Sequence, residues 1–240
     1  MTSNKRPGDG QDFTPPGAAA ALEQRQANVL GDGPRIAPLQ VEDLSEDLLM
    51  LVAQMSQINA AIQSRDPIDH LLDAPKTGAE TAAELGKLPE IVRTMLRHPD
   101  LFARQTDVGV YLLTRGALAA RDRELAILRM GWLCQAPYEW GEHVIIGKKV
   151  GLSSAEIERI TQGSQAPGWS EHERAILCAV EELYDSATIS DATWAILATS
   201  LDDKQLIELP VVIGQYQTVA YYQNALRLAL HNGNDGLKAR

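Results

Sequence analysis

Apolar residues recur with helical spacing along most of the chain from Arg35 onward. One stripe runs from Leu48 to Ile58, and Ser45 precedes it as a candidate N-cap. The pair His98-Pro99 separates two further helical stretches, because a residue that precedes proline disfavours helical backbone. This part of the pattern therefore predicts several helices of ordinary length rather than one long rod.

Start and stop signals divide the rest of the pattern. Arg121 to Leu133 is predicted to be one helix, and Pro137 to Val150 the next, with Gly151 as the C-terminal cap. The segment 203–231 is predicted to be helical with an interruption near Pro210. Other helices are expected to begin after serines that can cap them, at Ser153, Ser170 and Ser190. No strand pattern competes, so the sequence predicts an all-α fold.

Composition and charge exclude several classes of function. The 240 residues carry a formal net charge of -10, which argues against a nucleic-acid binder and gives no attraction to an anionic membrane. No apolar run approaches the roughly 20 residues that cross a bilayer. Residues 1–10 are polar and lack the apolar core of a secretion signal. We therefore expect a cytoplasmic protein with no nucleic-acid or membrane partner.

Two regions differ in composition. Residues 1–34 are rich in Gly, Pro, Gln and Ala and are predicted to be a flexible N-terminal arm, with at most a short helix near Ala18 to Val29. Residues 35–240 are predicted to form one helical domain. The cysteines, Cys134 and Cys178, form no C-x-x-C pair and are expected to be small buried residues.

Candidate chemistry concentrates on three residues. Glu139 and His143 are four residues apart and share one face of the predicted helix, and Glu124 shares a face with apolar positions of the preceding helix. Two carboxylates beside an imidazole suit general acid/base catalysis. A buried ion pair with only a structural role, and a divalent-metal site, are the alternatives. No further strong metal ligand is evident, so neither a metal nor a cofactor is predicted.

Three stretches around these residues resemble the carboxymuconolactone decarboxylase family, which includes the alkylhydroperoxidase D-like (AhpD-like) proteins. They are 121–125 (RDREL), 138–143 (YEWGEH) and 151–157 (GLSSAEI). The resemblance extends over roughly residues 35–230. It implies an AhpD-like helical bundle in which a helical hairpin holds the site, and it implies a homo-oligomer, as a trimer, hexamer or dimer.

The resemblance also bears on the reaction. Peroxidases of the family carry C-x-x-C followed by a His, with a relay Glu upstream; here Glu124 and His143 match the Glu and the His. The two cysteine positions are Ala136 and Glu139, so we do not expect a thiol peroxidase. Decarboxylases of the family carry a Tyr-x-Gly-x-Pro element near the last helix, where this chain reads Gly214-Gln-Tyr-Gln-Thr.

These considerations lead to one main hypothesis. The protein is expected to be a cofactor-free acid/base enzyme in which Glu124, Glu139 and His143 are catalytic. Its substrate would be a small carboxylated or carbonyl compound that undergoes decarboxylation, isomerisation or elimination through an enolate-like intermediate. The candidate substrate-binding residues are Tyr138, Trp140, Tyr216 and Arg121. The alternatives are a non-catalytic small-molecule-binding or structural protein and, less favoured, an alkylhydroperoxidase.

Overall fold

A computed structural model describes residues 18–46, 48–53, 55–56, 83, 85–231 and 233–240. The described part is helical and contains no strand, which confirms the predicted all-α class. A helical stretch lies within 46–56, and Leu48 donates its backbone N–H to the Ser45 hydroxyl (3.4 Å), as the predicted cap requires. The labelled helices are α1 (Ala18–Leu30), α2 (Glu90–Met95), α3 (Pro99–Thr114), α4 (Ala120–Leu133), α5 (Pro137–Lys149), α6 (Ser154–Gln162), α7 (Glu171–Ser186), α8 (Asp191–Leu197) and α9 (Asp203–Leu226).

Local capping chemistry explains where most of these helices begin. The hydroxyls of Ser153, Ser170 and Ser190 each accept a backbone N–H of the first turn, and the first two form complete capping boxes. Asp202 caps α9 in the same way. Helix α5 is followed by Gly151, whose φ of 97° suits glycine. The predicted helix starts are thus confirmed at these positions.

Helix α9 differs from the prediction. It runs through Pro210 without interruption and ends at Leu226 rather than near residue 231. Pro210 has no N–H to donate to the Leu206 carbonyl, which normally weakens a helix. Leu209 and Val212, on either side of the proline, are buried in the core and hold both halves of the helix in place. Tertiary packing therefore overrides the local break.

Helix α4 forms the centre of the domain. Every residue from Arg123 to Gly131 is buried, and the helix packs against α5, α6, α7 and α9. A helix that is buried on all sides contacts other helices in every direction. Because Arg123 and Glu124 lie in this segment, their charged groups are enclosed by protein and need partners there.

The N-terminal helix and the C-terminal segment pack together. Helix α1 matches the short helix predicted near Ala18 to Val29, and the Gln26 side chain accepts the backbone N–H of Leu237 (2.8 Å). The segment that follows α9 crosses α5, where Ala239 O accepts the indole N–H of Trp140 (3.0 Å). Residues 1–17 lie outside the described part, so the flexible arm stays a prediction. None of the described helices has the length and apolarity needed for a bilayer crossing.

Candidate active site

The site lies at the hairpin between α4 and α5. The chain turns through Gln135, which has a φ of 48°, and the N–H of Ala136 bonds to the Gly131 carbonyl (3.0 Å). Pro137 then occupies the first turn of α5, where its missing N–H costs nothing. This tight turn folds the first turns of α5 back onto the buried face of α4.

The hairpin brings Glu124, Glu139 and His143 together. His143 Nδ1 lies 2.7 Å from Glu124 Oε2, and His143 Nε2 lies 3.3 Å from Glu139 Oε1. Their exposed fractions are 0 %, 2 % and 5 %, respectively. The imidazole is therefore held between two carboxylates in a nearly closed environment. The three side chains therefore lie in contact, while their role as a catalytic site remains a prediction.

The contact between Glu139 and His143 is not a complete hydrogen bond. Glu139 Oε1 faces His143 without the alignment of a hydrogen bond and has no other partner among the described residues. Burial raises the pKa of Glu139, and His143 and Gln223 offset only part of the rise. Burial would lower the pKa of His143, but the carboxylates of Glu124 and Glu139 outweigh it and raise that pKa. Both groups therefore hold protons more tightly than they would in water.

Helix α9 completes the site with residues that the hairpin motif does not contain. Gln223 donates an amide N–H to Glu139 Oε2 (2.8 Å), and its own Oε1 is buried without a partner in the described structure. Tyr216 meets His143 edge-on, with ring centroids 4.8 Å apart. Burial raises the pKa of Tyr216 well above its usual value, so the phenol stays neutral and can donate a proton in a hydrogen bond. Gln223 was missed from sequence, since one buried glutamine on a long helix carries no recognisable signal.

The other candidate substrate-binding residues have structural partners. Trp140 is fully buried, its indole bonds to Ala239 O, and its ring lies 4.9 Å from that of Trp132. Tyr138 is buried and its backbone carbonyl accepts an N–H from Asn234 (3.0 Å). The Arg121 guanidinium pairs with the carboxylates of Glu156 and Glu173. A substrate role for these three residues is not tested by these contacts.

The site environment also bears on thiol and metal chemistry. Burial, with a smaller contribution from Glu139, raises the pKa of Cys134 to about 11, so this thiol is a weak nucleophile at neutral pH. Cys134 is buried and Cys178 partly buried, and both are free thiols. Within the described ranges, no cluster of three or more His, Cys, Asp or Glu residues is arranged to hold a metal ion.

A surface groove lies elsewhere on the molecule. It has a volume of about 650 Å³ and runs between α3 and α9, lined mainly by apolar side chains that include Val108, Tyr111, Ile207 and Val211. Neither Glu124, Glu139 nor His143 contributes to its lining. The groove is therefore separate from the acid/imidazole site.

One family model matches the part of the chain that contains the hairpin. The sequence model of the carboxymuconolactone decarboxylase family matches residues 99–182, which include Glu124, Glu139 and His143 but not Tyr216 or Gln223. No curated protein sequence matches significantly.

Two solved structures are similar in fold. One is the alkylhydroperoxidase AhpD core of an uncharacterized peroxidase-related protein from Ralstonia eutropha JMP134, with a TM-score of 0.59 and 14% identity over 83% of this chain and 93% of that one. The other is a protein of unknown function from Agrobacterium tumefaciens, provisionally assigned as an antioxidant defence protein AhpD. Its TM-score is 0.52 and its identity 21%, over 57% of this chain and 94% of that one. At these identities the similarity concerns the fold.

Proposed function

We propose that the protein is an acid/base enzyme of the carboxymuconolactone decarboxylase and AhpD-like family that acts on a small carboxylated or carbonyl compound. The observation that carries the proposal is that His143 lies between the carboxylates of Glu124 and Glu139, and Glu139 stands where the family's peroxidases carry a cysteine. Ala136 and Glu139 at the two cysteine positions remove thiol redox chemistry, whereas Glu124, Glu139 and His143 keep the groups needed for proton transfer.

The proton geometry supports Glu139 as the acid. The proton between Glu139 Oε1 and His143 Nε2 can reside on either atom, giving a neutral acid beside a neutral imidazole or a carboxylate beside an imidazolium. In both forms Nδ1–H donates to Glu124, which fixes the ring orientation. Before the transfer, the imidazolium form stabilises negative charge that develops on the substrate. The shared proton then passes to the carbanion or enolate carbon, which leaves a Glu139 carboxylate beside a neutral imidazole. This chemistry serves decarboxylation, isomerisation and elimination alike.

A non-catalytic, structural role is the second candidate. It is favoured by the burial of all three residues, because a closed and satisfied network stabilises a fold without turnover. Against it, Glu139 Oε1 and Gln223 Oε1 are both buried without partners among the described residues, whereas purely structural polar networks are normally fully satisfied. A thiol peroxidase, suggested by the description of one structural relative, finds no support in Ala136, Glu139 or the raised pKa of Cys134.

The test uses a panel of small oxo acids, lactone acids, hydroxy acids and neutral ketones incubated with the protein in D₂O. NMR follows both product formation and deuterium incorporation at carbon. We expect turnover of a panel member to fall at least about 100-fold in His143→Gln and Glu139→Gln, the size of a typical acid/base contribution. Glu171→Gln, an exposed carboxylate on α7, is the matched control and should keep full activity. Unchanged turnover in both site variants would refute the proposal.

A further inference from the structure

In the part of the chain that the structure describes, Arg123 hydrogen-bonds through its Nε alone. It is 8 % exposed, and its Nε donates to Glu124 Oε1 at 3.2 Å. Neither of its terminal nitrogens, Nη1 and Nη2, has a partner among the described residues. By contrast, the guanidinium of Arg121 binds two carboxylates. A guanidinium with two unused N–H edges is well suited to bind a planar anion.

Tyr216 provides a second unused donor, next to His143. Its ring lies against His143, it is 5 % exposed, and its hydroxyl has no hydrogen-bond partner in the described part of the chain. The positive charge of Arg123 opposes the rise of the Tyr216 pKa, which places the guanidinium within electrostatic reach of the phenol. The Arg123 terminal nitrogens and the Tyr216 hydroxyl both keep some exposed surface, unlike the unpaired polar atoms that are completely buried.

Burying these donors without an acceptor is costly. A largely enclosed cation needs a counter-anion, and the carboxylate that pairs with Arg123, Glu124, is shared with His143. An additional carboxylate would satisfy the two terminal nitrogens of Arg123 in the bidentate geometry and could accept a third bond from the Tyr216 hydroxyl.

We propose that Arg123 and Tyr216 bind a carboxylate group of the ligand next to His143, so that the substrate class is a small organic acid rather than a neutral carbonyl compound. This inference rests on the proposed function for the reacting end of the ligand, whereas binding of the carboxylate needs no turnover. The proposal also bears on which group of the ligand reacts. A carboxylate held by a guanidinium is stabilised in the ground state, so it is a binding handle and not the group lost as CO₂.

The experiment measures binding with simple probes. Acetate and benzoate are titrated into the full chain, with acetamide and benzamide as neutral isosteres, while NMR follows the imidazole signals of His143, assigned with His143→Gln. The variants are Arg123→Lys, Arg123→Met and Tyr216→Phe. Arg104→Gln removes the same charge at an exposed position on α3 and is the matched control. Circular dichroism establishes that each variant is folded, and Arg123→Lys keeps the buried charge if Arg123→Met does not fold.

We expect saturable shifts with the carboxylates and none with the amides. Affinity should weaken about 10- to 100-fold in the Arg123 variants, and severalfold in Tyr216→Phe, while Arg104→Gln stays unchanged. Absence of a saturable carboxylate effect, equal binding of the amides, or equal affinity in all variants would overturn the proposal. Carboxylate binding that depends on Arg123 but is accompanied by no turnover would contradict the proposed function and leave this inference standing.

Discussion

The two carboxylates beside His143 should respond very differently to neutralisation. Glu124 accepts from both Arg123 Nε and His143 Nδ1, so Glu124→Gln leaves the enclosed Arg123 guanidinium and the His143 N–H facing an amide. Removing one partner of such a buried ionic group costs about 3–5 kcal/mol. Glu139 has a raised pKa, and a glutamine can imitate its protonated form by facing His143 with an N–H and Gln223 with a carbonyl oxygen. We expect Glu139→Gln to cost less than about 1 kcal/mol.

Urea denaturation followed by circular dichroism at pH 7 measures the difference, and thermal unfolding should separate the variants by several degrees. The pH dependence gives an independent check. A group whose pKa is raised by folding stabilises the protein fully below its unfolded pKa, about 4.5 for Glu139, and loses that contribution as pH rises through the folded value. The wild type should therefore lose stability relative to Glu139→Gln as pH increases. Equal costs for the two variants, or the opposite pH trend, would refute the assigned proton.

Three further predictions concern other parts of the chain. Cys134 should react slowly with thiol reagents at pH 8, because a pKa of about 11 leaves roughly one molecule in a thousand as thiolate, and Cys134→Ser should leave any hydroperoxide consumption unchanged. Glu208→Ala should cost about 1.5–3 kcal/mol in urea unfolding, because its carboxylate accepts two backbone N–H groups just before α4. Gly141→Ala should cost about 1–3 kcal/mol in the same assay, because an added Cβ would lie 1.7 Å from Asn234 Oδ1. Gly214→Ala, where a Cβ meets nothing within 4 Å, is its control and should not destabilise. A cost for Gly214→Ala equal to that of Gly141→Ala would contradict the steric explanation.

Local signals predicted the helices well, because capping and proline act within one turn. Ser153, Ser170 and Ser190 mark helix starts through bonds to backbone N–H groups three residues away, and such short-range patterns are visible in sequence. Pro210 shows the limit of this reasoning. The local penalty is real, but the long-range burial of its neighbours decides the outcome, and no local pattern records that burial.

The sequence by itself determined that Glu139 and His143 lie on the same face of one helix. The four-residue spacing of Glu139 and His143 fixes their proximity through helix geometry alone, and the short hairpin adds Glu124. Tertiary structure decided everything that reaches the site from distant parts of the chain. It brings Gln223 and Tyr216 from α9 onto the imidazole, and it leaves the Arg123 terminal nitrogens unused. Burial is the physical reason, since the enclosure that shifts the pKa values is created by helices far apart in sequence.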